Sequence, residues 1–353
     1  MKTRSAVNTL SSEVVSKNVE DKPCLRAKLD TGTFCNYDCS FCYYQGFLKD
    51  TLALNKIKEQ ADHLRTYGIQ DIELSGGESS ISKDWFDILD YVKDFRHIST
   101  LSHGGKFANK EFIQKSYDKG LREILFSMHG GSERVHNKAT GRTSFSNLLK
   151  AISNAKELGM IVRINCTVYH MNYTELVEHA ELCKTLDPLE VNYIALNYFE
   201  SAQHTTPVLY KDIAPHIQDA LDILEGHIKY LNVRYIPFCF MKGYEKYVCD
   251  TYQHIYDRYD WNLETYGIEY FPYSHESNTP NISLAYAAAK EGREYHYSKP
   301  RECITCSRLA ICDGVDTKDI VSVIPGRIIT NPVHFREGMY KDYDQEIEQV
   351  SGI

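Results

Sequence analysis

Three cysteines, Cys35, Cys39 and Cys42, sit in the string TGTFCNYDCSFCYY with the spacing CxxxCxxC. Thiolates are soft ligands that suit zinc and iron–sulfur clusters. A cubane cluster normally takes four cysteine thiolates, so a set of three leaves one iron without a protein ligand. An open position on a metal is where chemistry happens. Tetrahedral zinc competes for the same residues. Zinc sites on short spacings usually pair one CxxC with a second pair nearby, however, and the next cysteine here is Cys166. A second group, Cys303, Cys306 and Cys312, has the spacing CxxCxxxxxC inside KPRECITCSRLAICDG. It also reads as a metal site, with zinc and iron–sulfur both open.

The elements that must position these residues alternate. Leu25 to Leu29 reads as a strand that feeds the first cysteine loop. Further strands are expected at Ile69 to Leu74, His97 to Leu101, Glu123 to Met128, Met160 to Val168 and Leu189 to Leu196. Helical spacing of apolar residues marks Leu52 to Thr66, Trp85 to Phe95, Lys110 to Lys119, Ser146 to Leu158, Tyr173 to Leu186 and about Tyr210 to Leu231. Strands alternating with helices of this length predict βα units around a parallel sheet. Six units are too few for a closed eight-stranded barrel and fit an open (βα)6 partial barrel. Glycine and polar residues gather after several strands, at the C-terminal end where sites in such folds lie. Ser75-Gly76-Gly77-Glu78 follows the second strand, and its glycines let backbone come close to a ligand. Arg163 and Asn165 share one face of the fifth strand. A polar face on a buried strand needs partners, supplied by a ligand or by neighbouring strands.

With the motif Cys35-Asn36-Tyr37-Asp38-Cys39-Ser40-Phe41-Cys42 the chain resembles the radical S-adenosylmethionine (radical SAM) enzymes. Phe41 is the aromatic that the family prefers before the last cysteine. The resemblance implies a 4Fe–4S cluster on Cys35, Cys39 and Cys42, with exchangeable SAM chelating the open iron. An electron from the cluster then releases a 5′-deoxyadenosyl radical, which takes a hydrogen atom from substrate. It implies SAM contacts from Ser75, Gly76, Gly77 and Glu78, and by position from Ser127, Arg163 and Asn165. It also implies a reducing partner such as flavodoxin or ferredoxin. The C-terminal cysteines resemble an auxiliary-cluster region of the SPASM or shorter twitch type. Val315 and Asp316 stand where a full SPASM pattern wants cysteine, so one auxiliary 4Fe–4S cluster is expected, on Cys303, Cys306, Cys312 and an upstream cysteine. Cys239, in IPFCFMKGYE, is favoured, with Cys249 the alternative. The cysteine left over would be an inert thiol or, as in radical SAM epimerases, a hydrogen-atom donor; Cys249 is the candidate donor. Cys24, Cys166 and Cys183 read as structural. The expected organisation is an arm over 1–23, the partial barrel over 24–232, an auxiliary-cluster domain over 233–320 and a tail over 321–353.

Of the 353 residues 42% are hydrophobic and 25% charged, as in ordinary globular chains. No apolar run reaches the roughly 18 residues of a membrane span, and the polar N-terminus lacks the apolar stretch of a secretion signal. The expectation is a cytoplasmic protein with reduced thiols. A net charge of −8 disfavours a broad nucleic-acid footprint. The 26 tyrosines crowd toward the C-terminal half, and each pairs an apolar body with a polar tip. The stretch from Trp261 to Tyr297 reads as a segment over the barrel mouth or the auxiliary cluster, and His254, His275, Glu276 and His296 are unranked acid–base candidates. Two substrate classes fit. One is a polar small molecule of sugar, aminocyclitol or nucleoside type that is oxidised, epimerised or rearranged. The other is a ribosomally made precursor peptide that is modified or crosslinked. Only about 23 residues precede the first strand, short of the extra leader-binding domain many peptide maturases carry, which favours the small molecule.

Overall fold

The computed structural model describes residues 26–42, 44, 51–66, 68–196, 205–249, 263–264, 297–306, 308, 312, 314–316 and 344–351. Cys24, His254, His275, Glu276, His296, the N-terminal arm and most of the stretch from Trp261 to Tyr297 lie outside the described residues.

Strands β1 (Arg26–Asp30), β2 (Asp71–Ser75), β3 (His97–Ser102), β4 (Leu121–Ser127), β5 (Ile161–Val168), β6 (Glu190–Ala195) and β7 (Tyr230–Arg234) pair in parallel, each with the next. A two-residue strand, β8 (Leu263–Glu264), adds to the outer edge of β1. The sheet order is β7-β6-β5-β4-β3-β2-β1-β8. The helices between them are α1 (Leu54–Thr66), α2 (Trp85–Val92), α3 (Lys110–Asp118), α4 (Glu133–Thr140), α5 (Phe145–Glu157), α6 (Leu176–Leu186) and α7 (Tyr210–Leu224). A curled parallel half-barrel results, as the βα alternation implies.

One boundary differs from expectation. The last helix stops at Leu224 instead of reaching Leu231, and residues 230–234 form a seventh parallel strand. Gly226 at φ +78° breaks the helix. Beyond it Leu231 and Val233 join the helix-covered core, while Asn232 bonds Asn192 on the other face, a period of two.

The two faces of the sheet are chemically opposite. Ile72, Leu74, Ile98, Ile124, Phe126, Val162, Ile164, Val191 and Val233 pack against the helices. The inner face carries Arg26, Glu73, His97, Ser99, Glu123, Arg163, Glu190, Asn192 and Asn232, all buried. Near the N-terminal ends of the strands this face is an ion network. Glu123 accepts from Arg26 Nη2 at 3.0 Å, Arg163 Nη1 at 2.6 Å and His97 Nε2 at 2.8 Å. Arg163 also donates to Glu190 Oε1 from Nη2 at 2.9 Å.

Burial alone would raise the Glu123 carboxyl, but Arg26, Arg163 and His97 outweigh it and hold it well below the ordinary range. A carboxyl depressed on folding contributes stability that is complete above its unfolded value, about 4.3, and is lost as pH falls through the folded value. Glu73 is the reverse case. Burial raises it against the pull of Arg163 and Lys28, and neither carboxylate oxygen accepts a hydrogen bond. Glu123→Gln is therefore expected to cost about 3–5 kcal/mol at neutral pH, since it uncovers two buried guanidiniums. That deficit should shrink toward pH 3. Glu73→Gln should be neutral or stabilising near pH 7. Denaturant melts of both variants across pH check the contrast; equal losses would contradict it.

The C-terminal segment, which carries no legible sequence signal, forms α8 (Asp344–Ser351). Its Ile347 packs on Ile161, Leu189 and Tyr230, at the N-terminal ends of β5, β6 and β7. Two short strands, β9 (Tyr297–Ser298) and β10 (Val315–Asp316), pair antiparallel beside the last cysteine group.

Candidate active site

The loop after β1 carries Cys35, Cys39 and Cys42, all half-buried. Three neighbours hold its backbone. Helix α4 ends with carbonyls that have no partner inside the helix, and the loop supplies donors: Asp38 N–H to Thr140 O at 3.1 Å and Ser40 N–H to Ala139 O at 3.3 Å. Gly141 closes α4 at φ +65°, where a Cβ would stand 2.9 Å from Asp38 O. From the C-terminal ends of β4 and β5, His129 and Tyr169 pack edge-on against the Phe41 ring at 4.5 and 5.1 Å. Tyr169 OH also bonds Ser40 Oγ at 3.0 Å.

The Ser75–Glu78 turn is the third neighbour. Gly77 N–H donates to Gly32 O at 2.7 Å and Glu78 N–H to Phe34 O at 2.8 Å. A Cβ on Gly76 would meet Gly32 O at 2.2 Å, and one on Gly77 would meet Phe34 O at 2.1 Å. The glycines are required by the approach of the cysteine loop itself, whereas sequence reasoning assigned that freedom to a ligand. Ser75 lends its carbonyl to Thr31, whose N–H and Oγ both donate at 2.9 Å. The Glu78 carboxylate is turned into the protein. Oε1 accepts from Ser102 Oγ at 2.8 Å and from Ser80 Oγ, and Oε2 accepts from His103 N–H at 2.8 Å. A carboxylate has about four lone-pair sites, so most of its capacity is used internally and the acceptors left for a ligand at this turn are chiefly backbone.

Ser127 and Asn165 stand side by side in the β4–β5 register, both half-buried on the inner face toward the C-terminal ends. Asn192 and Asn232 continue the row on β6 and β7, joined by Asn232 Nδ2 to Asn192 Oδ1 at 2.9 Å. Arg163 is not part of this group. It lies one layer deeper, 1% exposed, with its guanidinium bound to Glu123 and Glu190. Its partners are neighbouring strands, the alternative the sequence left open, and its guanidinium forms an ion pair at the barrel floor below Ser127 and Asn165.

The donor chemistry of the cysteine loop suits iron. Burial pushes the Cys39 thiol up, and the Cys42 and Cys35 sulfurs add to the shift. Three sulfurs that repel one another in a partly desolvated loop are stable either protonated or neutralised by a cation. Tyr37 N–H points at Cys35 Sγ at 3.4 Å, a donor to sulfur of the kind that tunes clusters. Among the described residues no three His, Cys, Asp or Glu side chains converge on a single-ion site.

In the C-terminal group Cys303 lies in a helical turn, Arg301–Thr305, with Cys306 just after it. Gly314 N–H points at Cys312 Sγ at 3.4 Å. Cys239 sits half-buried in the turn Phe238–Phe240. The Arg308 guanidinium lies 5.7 Å over the Phe238 ring, so the loop of Cys303 to Cys312 reaches the residue beside Cys239. Cys249 is fully buried, its N–H bonded to Val233 O of β7 at 2.8 Å. Cys166 and Cys183 are buried in the core, as their apolar surroundings imply.

Sequence reasoning missed the residues that hold the loop: Tyr37, Asn36, Tyr169 and the end of α4. His129 is buried with Nδ1 accepting from Thr167 N–H at 3.1 Å, and burial, with His136 and His179 nearby, holds it well below the usual imidazole value. It is a neutral wall residue. No helix among the described residues is long and apolar enough to cross a membrane.

Residues 29–183 match the family model described as Radical SAM superfamily. Curated relatives include probable GTP 3′,8-cyclases. One from Saccharolobus islandicus is 28% identical over 205 residues, 57% of this chain and 63% of the relative. One from Thermoplasma volcanium is 27% identical over 175 residues, 48% and 53% of the two. The chain thus spans less than two thirds of the length of these relatives. Streptococcus suis SuiB, solved with its precursor peptide SuiA, superposes with TM-score 0.60 at 12% identity, covering 94% of this chain and 78% of SuiB. The structure of anSMEcpe with bound AdoMet and the Cp18Cys peptide gives TM-score 0.57 at 13% identity, covering 94% and 97%. At these identities the likeness is one of fold.

Proposed function

Because the chain carries a radical SAM domain over residues 29–183, we propose that it uses a cubane on Cys35, Cys39 and Cys42 to cleave SAM and take a hydrogen atom from a polar small molecule. The observation that carries the reading is the fastening of the Ser75–Glu78 turn onto the three-cysteine loop by Gly77 N–H to Gly32 O and Glu78 N–H to Phe34 O. The backbone of the turn thereby lies beside a loop whose three thiols are one short of a cubane's usual four, which supports the reading. When bound, the cluster and SAM supply an electron and a 5′-deoxyadenosyl radical. The chain's own residues bind and orient. Ser127 and Asn165 offer polar groups from β4 and β5, and Phe41, His129 and Tyr169 wall the loop; the polar inner face of the sheet suits a hydrophilic substrate. The Saccharolobus and Thermoplasma relatives make a purine nucleotide the first substrate to test within the sugar, aminocyclitol and nucleoside class.

The test is isotopic. Reconstituted, reduced protein is given SAM with deuterated GTP, deuterated sugars or a deuterated precursor peptide, and 5′-deoxyadenosine is analysed for deuterium. Label from the nucleotide or a sugar supports the reading. Label from the peptide alone replaces it with peptide maturation.

The C-terminal cysteines are proposed to hold one auxiliary cluster with Cys239 as fourth ligand, supported by the Arg308–Phe238 contact and by the half-buried setting of all four cysteines. Full thiolate ligation suits electron transfer. Cys239→Ala is expected to lower iron from about eight to about four per chain and to leave SAM cleavage in place. Cys249→Ala should leave iron unchanged; iron loss from Cys249→Ala and none from Cys239→Ala would reverse the assignment. Turnover at the parental rate in Cys249→Ala would also remove Cys249 as hydrogen-atom donor.

A further inference from the structure

One imidazole ties the metal-binding loop to the Ser75–Glu78 turn. His103 directly follows β3. Its Nδ1 accepts from Gly105 N–H at 3.0 Å. A ring nitrogen that accepts carries no proton, so in the neutral ring the proton is on Nε2. Nε2 lies 2.8 Å from Asn36 Oδ1 and 3.3 Å from Glu78 Oε2. The first of these is a donated hydrogen bond into the cysteine loop, one residue beyond Cys35. The face of the same ring stacks on Tyr37 at 3.6 Å and 7°. The backbone N–H of His103 donates to Glu78 Oε2 at 2.8 Å. A Cβ on Gly105 would stand 2.8 Å from His103 Cε1, so the ring could keep this place only beside a glycine.

Both residues that follow Cys35 are thus held by His103, and Tyr37 in turn directs its N–H to Cys35 Sγ at 3.4 Å. Glu78, at the other end, is fixed to the loop through Phe34 O. His103 is 7% exposed and sits in the seam between the two loops.

We propose that His103 is a positioning residue that sets the Tyr37 N–H on the Cys35 sulfur and locks the cysteine loop to the turn that receives SAM, so that cluster potential and SAM affinity both depend on it. This rests on the functional reading above. Hydrogen bonds to cluster sulfurs raise the reduction potential, and second-layer partners of metal ligands typically contribute 10–100-fold in affinity. His103 separates into two parts. Its ring face supports Tyr37, and its Nε2–H supports Asn36.

The experiment uses the full chain, reconstituted with iron and sulfide without oxygen, in four forms: parent, His103→Ala, His103→Phe and Asn36→Leu. Each is titrated with SAM while the reduced-cluster EPR signal is recorded, and each is poised electrochemically for its midpoint potential. His103→Ala is expected to weaken SAM about tenfold and to move the midpoint to more negative potential, with iron content kept. His103→Phe restores the stack and should return the potential most of the way while SAM stays weak. Asn36→Leu, a change at an exposed loop position, should reproduce the SAM defect alone. A parent with a normal cluster whose His103→Phe and Asn36→Leu forms match it in SAM affinity overturns the positioning role and leaves the functional reading intact. A parent that assembles no cubane overturns both.

Discussion

Cys39→Ala is expected to give a folded protein that lacks the SAM-site cluster and makes no 5′-deoxyadenosine above background. The backbone on either side of Cys39 is held by Asp38 N–H to Thr140 O and Ser40 N–H to Ala139 O, bonds that do not involve the sulfur. Burial and the adjacent Cys42 and Cys35 sulfurs push the thiol up and keep it uncharged in the metal-free protein, so Ala leaves no buried charge unpaired. With one of three thiolates gone, a second iron lacks a protein ligand and the cubane has too few anchors. Iron should fall by about four per chain while circular dichroism stays parental. A Cys39→Ala protein that keeps all its iron and still cleaves SAM would mean that the cluster sits elsewhere.

Gly77→Ala is expected to be severely damaging although it adds a single methyl group. The added Cβ would lie 2.1 Å from Phe34 O and 2.5 Å from Phe34 C, both backbone atoms that cannot rotate away. The turn would have to lift off the cysteine loop, which breaks Gly77 N–H to Gly32 O and Glu78 N–H to Phe34 O together. Overpacking commonly costs about 1–3 kcal/mol, and two lost buried backbone bonds add about 1–3 kcal/mol each. Both loops also lose their mutual placement, so SAM binding should vanish even in protein that remains folded. Gly68→Ala is the control. Gly68, unlike Gly77, has positive φ, at +71°, but an added Cβ meets nothing within 4 Å, so only the left-handed conformation is penalised, by about 1–2 kcal/mol. Comparable melting temperatures and SAM affinities for the two variants would contradict the close-approach explanation.

Much of this architecture is legible in the residues. The alternation of apolar runs located six strands to within a few positions, because inner and outer faces differ sharply in polarity. The three-cysteine spacing and the glycines before Glu78 marked two loops that the fold brings together through Gly77 N–H to Gly32 O and Glu78 N–H to Phe34 O. What the chain conceals is pairing. Arg163 and Asn165 lie on one face two residues apart, yet Arg163 belongs to the floor with Glu123 and Glu190 while Asn165 stands in the upper row with Ser127. Strand parity gives the face and not the layer. Helix α4 escaped notice because its apolar stripe is short, although Ser132 accepting from Val135 N–H and Gly141 in the left-handed region are ordinary end signals. Strand β7 was absorbed into the preceding helix because Gly226 was not read as a stop. The role of His103 depends on three segments far apart in sequence, and no local pattern announces it.

The central claim is that Cys35, Cys39 and Cys42 present a cubane with one iron open to SAM. Electron paramagnetic resonance of the dithionite-reduced, reconstituted protein, recorded with and without SAM labelled with nitrogen-15 on its amino group, tests it most directly. The account predicts a cubane signal that shifts when SAM is added and shows hyperfine coupling to the labelled nitrogen, absent in Cys39→Ala. A protein that binds zinc in place of iron, or a cubane signal indifferent to SAM, would contradict it.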